Sequence, residues 1–141
     1  MKKILLIILL LPLICHGEWQ YIKKTSYGDV YWDNATVQKN KANEYYVAVL
    51  TDFGVRQKGI DRLIEGKLVY DTHFKPLSSK TAYLIHCQHQ KSALLGEVHY
   101  SEKMGKGKKI FSEVESNPNW MEEKYIDIDK IFPTLRMLVC N

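Results

Sequence analysis

The segment His86-Cys87-Gln88-His89 places two imidazoles and a thiol within four positions. Imidazole nitrogens and thiolates are ligands for Zn²⁺, and a histidine beside a cysteine can activate the thiol as a nucleophile. On a strand, however, residues three positions apart point to opposite faces, so His86 and His89 are not expected to hold one metal ion. Thiol catalysis needs a free Cys87, because a cysteine in a disulfide is no nucleophile.

The remaining candidate reactive groups stand alone in the sequence. His73 and His99 are single histidines, and single histidines are more often polar contacts than metal ligands. The acidic residues Asp52, Asp61 and Asp71 have no partner at a catalytic spacing. We therefore predict no enzymatic activity, no metal ion and no cofactor.

Four lysines surround two glycines in one short stretch. The lysines are Lys103, Lys106, Lys108 and Lys109. The spacing does not match a phosphate-binding P-loop, which has four residues between its first glycine and its Gly-Lys pair. Two interpretations stay open: a solvated hairpin turn whose lysines protect a sheet edge, or a basic loop that binds an acidic partner or a sulfated glycan. These four lysines are the candidate partner-binding loop.

The start of the chain has the pattern of a signal peptide. Two lysines precede an apolar run over residues 4–14, which is too short to cross about 30 Å of hydrocarbon. Cys15 and Gly17 are small residues at the −3 and −1 positions of a cleavage site before Glu18. Lipidation of Cys15 is not expected, because the bulky Ile14 precedes it. We predict an exported protein, in the periplasm or at the cell surface or secreted.

Removal of the predicted signal peptide, residues 1–17, leaves 141 − 17 = 124 residues, which suits a single domain over residues 18–141. Two lysines leave with it, so 20 − 2 = 18 basic residues remain against 16 acidic ones. This near balance gives no reason to expect nucleic-acid binding. The mature chain has no second long apolar run, so no transmembrane segment is expected.

The mature chain keeps two cysteines, Cys87 and Cys140. An oxidising compartment favours a disulfide, and two cysteines allow one intramolecular pairing. Closing a loop of about 50 residues stabilises a fold by roughly 4 kcal/mol in the chain-entropy model. Two free thiols, or an intermolecular bridge, are the alternatives.

Strand-forming segments separated by turn residues fill most of the mature chain, and a helix is predicted at its end. The strands are predicted at residues 19–23, 30–32, 44–53, 80–89, 93–101 and 109–114. Residues 54–77 are predicted to be an excursion between core strands, with one short strand at 67–70. The last strand is expected to end at residues 116–119, which are typical turn residues.

The final segment changes to a helical period. Its apolar stripe consists of Ile128, Ile131, Phe132, Leu135 and Leu138 or Val139. Asp127 or Asp129 is the candidate N-cap, and Pro133 fits a first turn. The helix is therefore expected to be short, or to be preceded by a separate turn over residues 126–132. Cys140 follows the stripe, so a bond to Cys87 would tie the helix to a strand. The sequence thus predicts an α+β domain of two layers.

Short motifs in a fixed order run through the whole mature chain. They are Glu18-Trp19, Val30-Tyr31-Trp32-Asp33, Thr36-Val37, Ser79-Lys80, Cys87, Tyr100-Ser101, Met104-Gly105-Lys106-Gly107, Trp120 and Cys140. Together with the two cysteines, this order resembles the surface-adhesin protein E family of exported bacterial proteins, over about residues 18–141.

The resemblance implies an antiparallel sheet of about six strands, with a C-terminal helix packed on one face and tied to it by the disulfide. It also implies a surface or periplasmic location and, for the name-giving members, attachment to host matrix proteins. We therefore expect a non-enzymatic, adhesin-like protein that recognises host extracellular matrix or envelope proteins. The alternative is a periplasmic structural or accessory protein of the cell envelope, forming a homodimer through a sheet edge.

Overall fold

The computed structural model describes residues 18–54, 60–64, 67–71, 76–122 and 131–141. The predicted signal peptide, His73, Ile128 and the two candidate N-caps lie outside these residues. The described elements are β1 (Gln20–Lys24), β2 (Gly28–Lys39), β3 (Glu44–Phe53), β4 (Ile60–Ile64), β5 (Lys67–Asp71), β6 (Ser78–His86), β7 (Lys91–Tyr100), a 3-10 turn (Lys103–Gly105), β8 (Lys109–Glu122) and α1 (Ile131–Val139).

Six of these strands form one antiparallel sheet in the order β1-β2-β3-β6-β7-β8. The predicted antiparallel sheet is therefore confirmed. Strands β4 and β5 pair with each other as a separate hairpin, whereas β3 pairs directly with β6. The interval between β3 and β6 is thus an excursion, as predicted, and its described residues form two strands where one was expected.

One buried apolar cluster joins the central strands to α1. Its members are Val30, Trp32, Val47, Val49 and Ile85 from the sheet, and Phe132, Leu135 and Val139 from the helix. The strand residues share one face, because side chains alternate along a strand and Trp32 pairs with Val49 in the register. Leu135 is completely buried, and burial of one leucine side chain stabilises a fold by about 2 kcal/mol.

Cys87 and Cys140 form a disulfide with 5.8 Å between their Cα atoms. The bond joins the turn that follows β6 to the residue that follows α1. The intramolecular pairing expected from the sequence is therefore confirmed.

Helix α1 begins at Ile131, so Pro133 is its third residue. A proline in the first turn loses no intrahelical hydrogen bond, because the first N–H groups of a helix have no partner within it. Within these bounds Pro133 lies in the first turn, as expected, and the alternative of a separate turn over residues 126–132 falls mostly outside the described residues. No helix among the described residues has the length and apolarity needed to cross a bilayer.

Strand β2 is longer than predicted, because polar residues after Trp32 continue it to Lys39. The register with β3 shifts after Asp33. There Asp33 Oδ1 accepts the N–H of Ala35 at 2.9 Å, and its carbonyl accepts the Thr36 hydroxyl at 2.7 Å. These bonds form a local irregularity that bends the strand without ending it.

Strand β8 is also longer than predicted, since it continues beyond Val114 to Glu122. Val114 pairs with Gly96 and Asn119 with Leu94, so the turn-forming residues 115–118 lie in a bulge between two paired segments. The expectation that these residues end the strand was wrong, because the strand resumes its pairing after them.

Candidate functional site

The lysine loop, residues 101–109, connects β7 to β8 and is closed by its own backbone hydrogen bonds. The N–H of Ser101 donates to the carbonyl of Lys108 at 2.9 Å, and the N–H of Glu102 donates to that of Lys106 at 3.3 Å. A third bond runs from the N–H of Lys106 to the carbonyl of Lys103 at 3.2 Å. These three bonds define the path of the loop.

Two core strands anchor the lysine loop. The buried hydroxyl of Ser78 donates to the carbonyl of Glu102 at 2.5 Å and accepts the N–H of Gly105 at 2.9 Å. Asp52 Oδ1 accepts the N–H of Met104 at 3.2 Å. Neither anchor was predicted, since an isolated serine and a single aspartate carry no signal of such a contact.

Three residues of the loop have positive φ angles: Met104 at 56°, Gly105 at 66° and Gly107 at 75°. This region is strained for residues with a Cβ atom and unstrained for glycine. A Cβ atom on Gly107 would lie 2.5 Å from Ser101 Oγ and 2.7 Å from Glu102 Cγ. The two glycines are therefore required by the path of the loop.

The four predicted lysines, Lys103, Lys106, Lys108 and Lys109, are exposed. Among the described residues, no ion pair joins any of these four ammonium groups to a carboxylate. The structure thus brings the four charges together on one ordered loop. The nearest acidic residue in the chain, Glu102, is also exposed on this loop.

Lys80 has a different role beneath the loop. Its ammonium lies 5.1 Å from the ring centre of Tyr100 and 5.7 Å from that of Trp19. A Cβ atom on Gly105 would clash with the Lys80 side chain. Lys80 therefore packs between two aromatic rings and the loop, where cation–π contacts stabilise the structure.

The rings of His86 and His89 contact each other, with 4.5 Å between their centres. The expectation that they point to opposite faces was wrong, because β6 ends at His86 and the chain turns over residues 87–90. The turn brings His89 back beside the end of the strand. Within the described part of the chain, no three His, Cys, Asp or Glu residues come together as metal ligands.

A pocket of about 290 Å³ adjoins this histidine pair. We call it the aromatic pocket, and its lining residues are Glu44, His86, His89, Lys91 and Trp120. The indole of Trp120 meets the imidazole of His86 edge-on, with 6.0 Å between ring centres. Trp120 is one of the residues that carry the family resemblance. It was not predicted to be part of a site, because it lies beyond the predicted end of the last strand.

A second, larger groove of about 370 Å³ lies beside α1. The aromatic rings of Tyr83 and Phe132 line it together with Leu94 and Met121. Its walls are mostly apolar, so it presents packing surface and no cluster of reactive groups.

His99, the remaining single histidine among the described residues, makes structural contacts. Its Nε2 lies 3.0 Å from Glu97 Oε1, and its ring packs between Phe53 and Phe111 at centre distances of 6.4 and 5.8 Å. This placement agrees with a polar contact and not with a metal ligand.

A pair of tyrosines lies at the β1 edge of the sheet. Tyr21 is 57% exposed and meets Tyr31 edge-on at 5.6 Å. Burial raises the pKa of Tyr31 above its usual value, and the nearby carboxylates of Asp29 and Asp52 raise it further. The folded protein therefore binds the phenolic proton of Tyr31 more tightly than the unfolded chain does.

The family model described as surface-adhesin protein E matches residues 19–141. Two solved structures of Haemophilus influenzae protein E have the same fold. Crystal form II has a TM-score of 0.54 at 11% identity, over 85% of this chain and 86% of that one. The protein from a non-typeable strain has a TM-score of 0.54 at 13% identity, over 85% and 74%. No curated protein sequence matches the chain.

Proposed function

Because the chain belongs to the surface-adhesin protein E family, we propose that it is an exported, non-enzymatic adhesin that binds a host matrix or envelope protein. In this proposal residues 1–17 are removed as a signal peptide, and residues 18–141 form the binding domain. The partner presents an acidic surface to the lysine loop.

The ordered lysine loop is the observation that carries the proposal. Four like charges on a flexible turn would lose conformational entropy on binding, and the hydrogen bonds that hold this loop reduce that cost. Complementary charges across an interface accelerate association and exclude like-charged partners. Lys103, Lys106, Lys108 and Lys109 supply this positive surface, and the anchors Ser78 and Asp52 hold the loop that carries it.

The helix contributes stiffness in this proposal. We place α1 as a layer on one face of the sheet, supported by its three residues in the buried cluster. The disulfide fixes the end of that layer to β6. The opposite face and the loops at the sheet ends then remain for recognition.

The test is surface plasmon resonance of the exported chain on immobilised matrix proteins, with a neutral protein as the reference. We expect binding that weakens as salt rises, because exposed charges are screened within about 8–10 Å at 0.1–0.15 M salt. The triple variant Lys103→Gln, Lys106→Gln and Lys108→Gln should bind about threefold to a hundredfold more weakly, since each exposed ion pair contributes about 0.2–1 kcal/mol.

The matched control changes three exposed lysines elsewhere: Lys24→Gln, Lys39→Gln and Lys41→Gln. It lowers the net charge by the same amount, so retained binding in this variant assigns the effect to the loop. Equal loss of binding in both variants would show that the interaction depends only on net charge. If no matrix protein binds better than the reference, and deletion of the gene weakens the envelope, the periplasmic accessory role replaces this proposal.

A further inference from the structure

The aromatic pocket lies at the end of the sheet opposite the lysine loop. Strand β3 begins beside it at Glu44, β6 ends there at His86, and β7 begins at Lys91. In the register Glu44 and Lys91 both pair with His86, one from each side. Since Ile85 belongs to the cluster with α1, His86 points to the other face of the sheet.

Glu44 and the turn that carries His89 are held in place before any ligand binds. Asn40 Nδ2 donates to Glu44 Oε2 at 2.7 Å, and Asn40 Oδ1 accepts the N–H of Ala42 at 2.9 Å and of Glu44 at 3.0 Å. The turn that carries His89 is fixed by the disulfide of Cys87. Such preorganisation lowers the entropic cost of binding a small molecule.

The imidazole of His86 has one nitrogen to offer a ligand. Its Nδ1 is buried and has no hydrogen-bond partner among the described residues, so Nε2 remains as the atom available for recognition. The ring itself is positioned between His89 and Trp120. A histidine without a fixed tautomer can either donate or accept at Nε2.

The chemistry of the pocket narrows the class of ligand. A volume of about 290 Å³ is near the lower end of small-molecule sites, about 300–1,000 Å³. A purely apolar molecule would make no polar contact with the Glu44 carboxylate. An extended polyanion would be repelled by the negative charge of that carboxylate. The ligand is therefore small and carries both polar groups and an apolar face for the Trp120 indole.

The spacing of the charged residues separates two such ligands. Glu44 and Lys91 lie two strands apart, and two strand spacings amount to roughly 9–10 Å between their backbones. A ligand that contacts residues from both strands therefore needs a body of some width. A six-membered sugar ring with an acid group at one end and hydroxyls at the other is wider than a free α-amino acid, whose opposite charges share a single carbon.

We propose that the aromatic pocket binds an acidic monosaccharide unit. The carbon-bound hydrogens of the sugar ring pack on the indole of Trp120, the acid group faces Lys91 and His89, and a hydroxyl donates to Glu44. This site is separate from the lysine loop and does not rest on the adhesin function proposed above.

The test is a ¹H–¹⁵N NMR titration of the exported chain with its disulfide intact. The probes are the methyl glycosides of N-acetylneuraminic acid and glucuronic acid, which represent two sources of acidic sugar, against methyl glucoside and free alanine. The indole signal of Trp120 is identified among three tryptophans by Trp120→Phe. We expect saturable shifts at this indole and at His86 with at least one acidic sugar, at millimolar concentrations.

Two variants locate the binding. Lys91→Gln, at an exposed position, should lower the affinity for the acidic sugar about two- to fivefold and leave methyl glucoside unchanged, as loss of one exposed ion pair predicts. Trp120→Ala should abolish binding of every sugar, and its melting temperature is recorded because it can also destabilise β8. Lys103→Gln, at the other end of the sheet, should bind like the parent chain.

Three outcomes would overturn the proposal: equal affinity for acidic and neutral sugars, saturable binding of alanine in their place, or shifts confined to the lysine loop. Each of these leaves the matrix-protein assay unaffected. Failure of that assay, in turn, leaves the shifts at Trp120 unaffected, so the two proposals fail separately.

Discussion

The two ends of β6 and β7 are stabilised by different means. At one end the lysine loop is held by hydrogen bonds to Ser78 and Asp52, and its charged side chains project outward. At the other end the turn that carries His89 is held by a covalent bond, and its neighbours line a pocket. A single covalent link can be removed in one step, whereas a hydrogen-bonded loop depends on several contacts of about 1 kcal/mol each.

The largest expected effect comes from the covalent end. Cys87→Ala removes a crosslink across a sequence separation of 53 residues, which the chain-entropy model values at about 4 kcal/mol of the free energy of unfolding. Denaturant unfolding of the oxidised protein measures it. Cys140→Ala should cost the same, and the double variant should cost no more than either. An unchanged stability, or additive losses, would contradict the role assigned to the bond.

A smaller effect is expected at the hydrogen-bonded end. Ser78→Ala leaves two backbone groups of the loop, on Glu102 and Gly105, without their buried partner, at a cost of about 1–3 kcal/mol. Ser79→Ala is the matched control, since Ser79 is buried at the next position and points to the opposite face. Faster hydrogen exchange of the loop amides in Ser78→Ala alone would sharpen the comparison. Equal losses in both variants would show that the loop does not depend on Ser78.

The backbone path of the loop gives a third test. Gly107→Ala adds a Cβ atom at a φ of 75°, within 2.5 Å of Ser101 Oγ, and the left-handed conformation alone costs about 1–2 kcal/mol. Gly54→Ala is the control, because an added Cβ meets no atom within 4 Å there. Urea midpoints of the two variants measure the difference. A midpoint for Gly107→Ala equal to that of the control would mean that the loop can change its path freely.

The smallest effect concerns Tyr31, whose pKa is raised by burial and further by the carboxylates of Asp29 and Asp52. Because the pKa of Tyr31 is raised in the folded state, the unfolded chain loses this proton first, from about pH 10.0. Stability should therefore be unaffected below that pH and should fall as pH rises above it. Tyr31→Phe should remove this part of the alkaline loss, as measured by thermal melting at several pH values. Tyr27→Phe, at an exposed tyrosine, should melt like the parent chain.

Local sequence patterns predicted the elements whose apolar and polar residues match the buried and exposed positions that they occupy. Strand β3 has the predicted bounds because its apolar residues Val47, Val49 and Leu50 form one strand-like run that follows the polar turn at residues 41–43. Helix α1 followed from the spacing of Phe132 and Leu135, and the disulfide followed from the export signal together with the number of cysteines. For β3 and α1 one short segment holds the pattern that determines the element, whereas the disulfide was predicted from the export signal and two cysteines 53 positions apart.

Features that depend on contacts between distant segments were not predicted. The bulge of residues 115–118 keeps a strand going through turn-forming residues, because β7 provides pairing on both sides of it. His89 reaches His86 only because the strand ends three residues earlier than its alternation suggested. The anchoring of the lysine loop by Ser78 spans 24 and 27 positions of the chain. None of these contacts produces a periodic pattern in the sequence from which it could be predicted.

The bond between Cys87 and Cys140 encloses β7, β8 and α1 in a covalent ring. Trypsin cuts after lysine, and the exposed lysines of the loop lie inside this ring. One cut there opens the ring but releases no fragment, since both pieces remain joined through sulfur. A nicked molecule would run as one band on a gel without reductant and as two bands with it. Strand β8, at the edge of the sheet, would remain attached to the rest of the molecule.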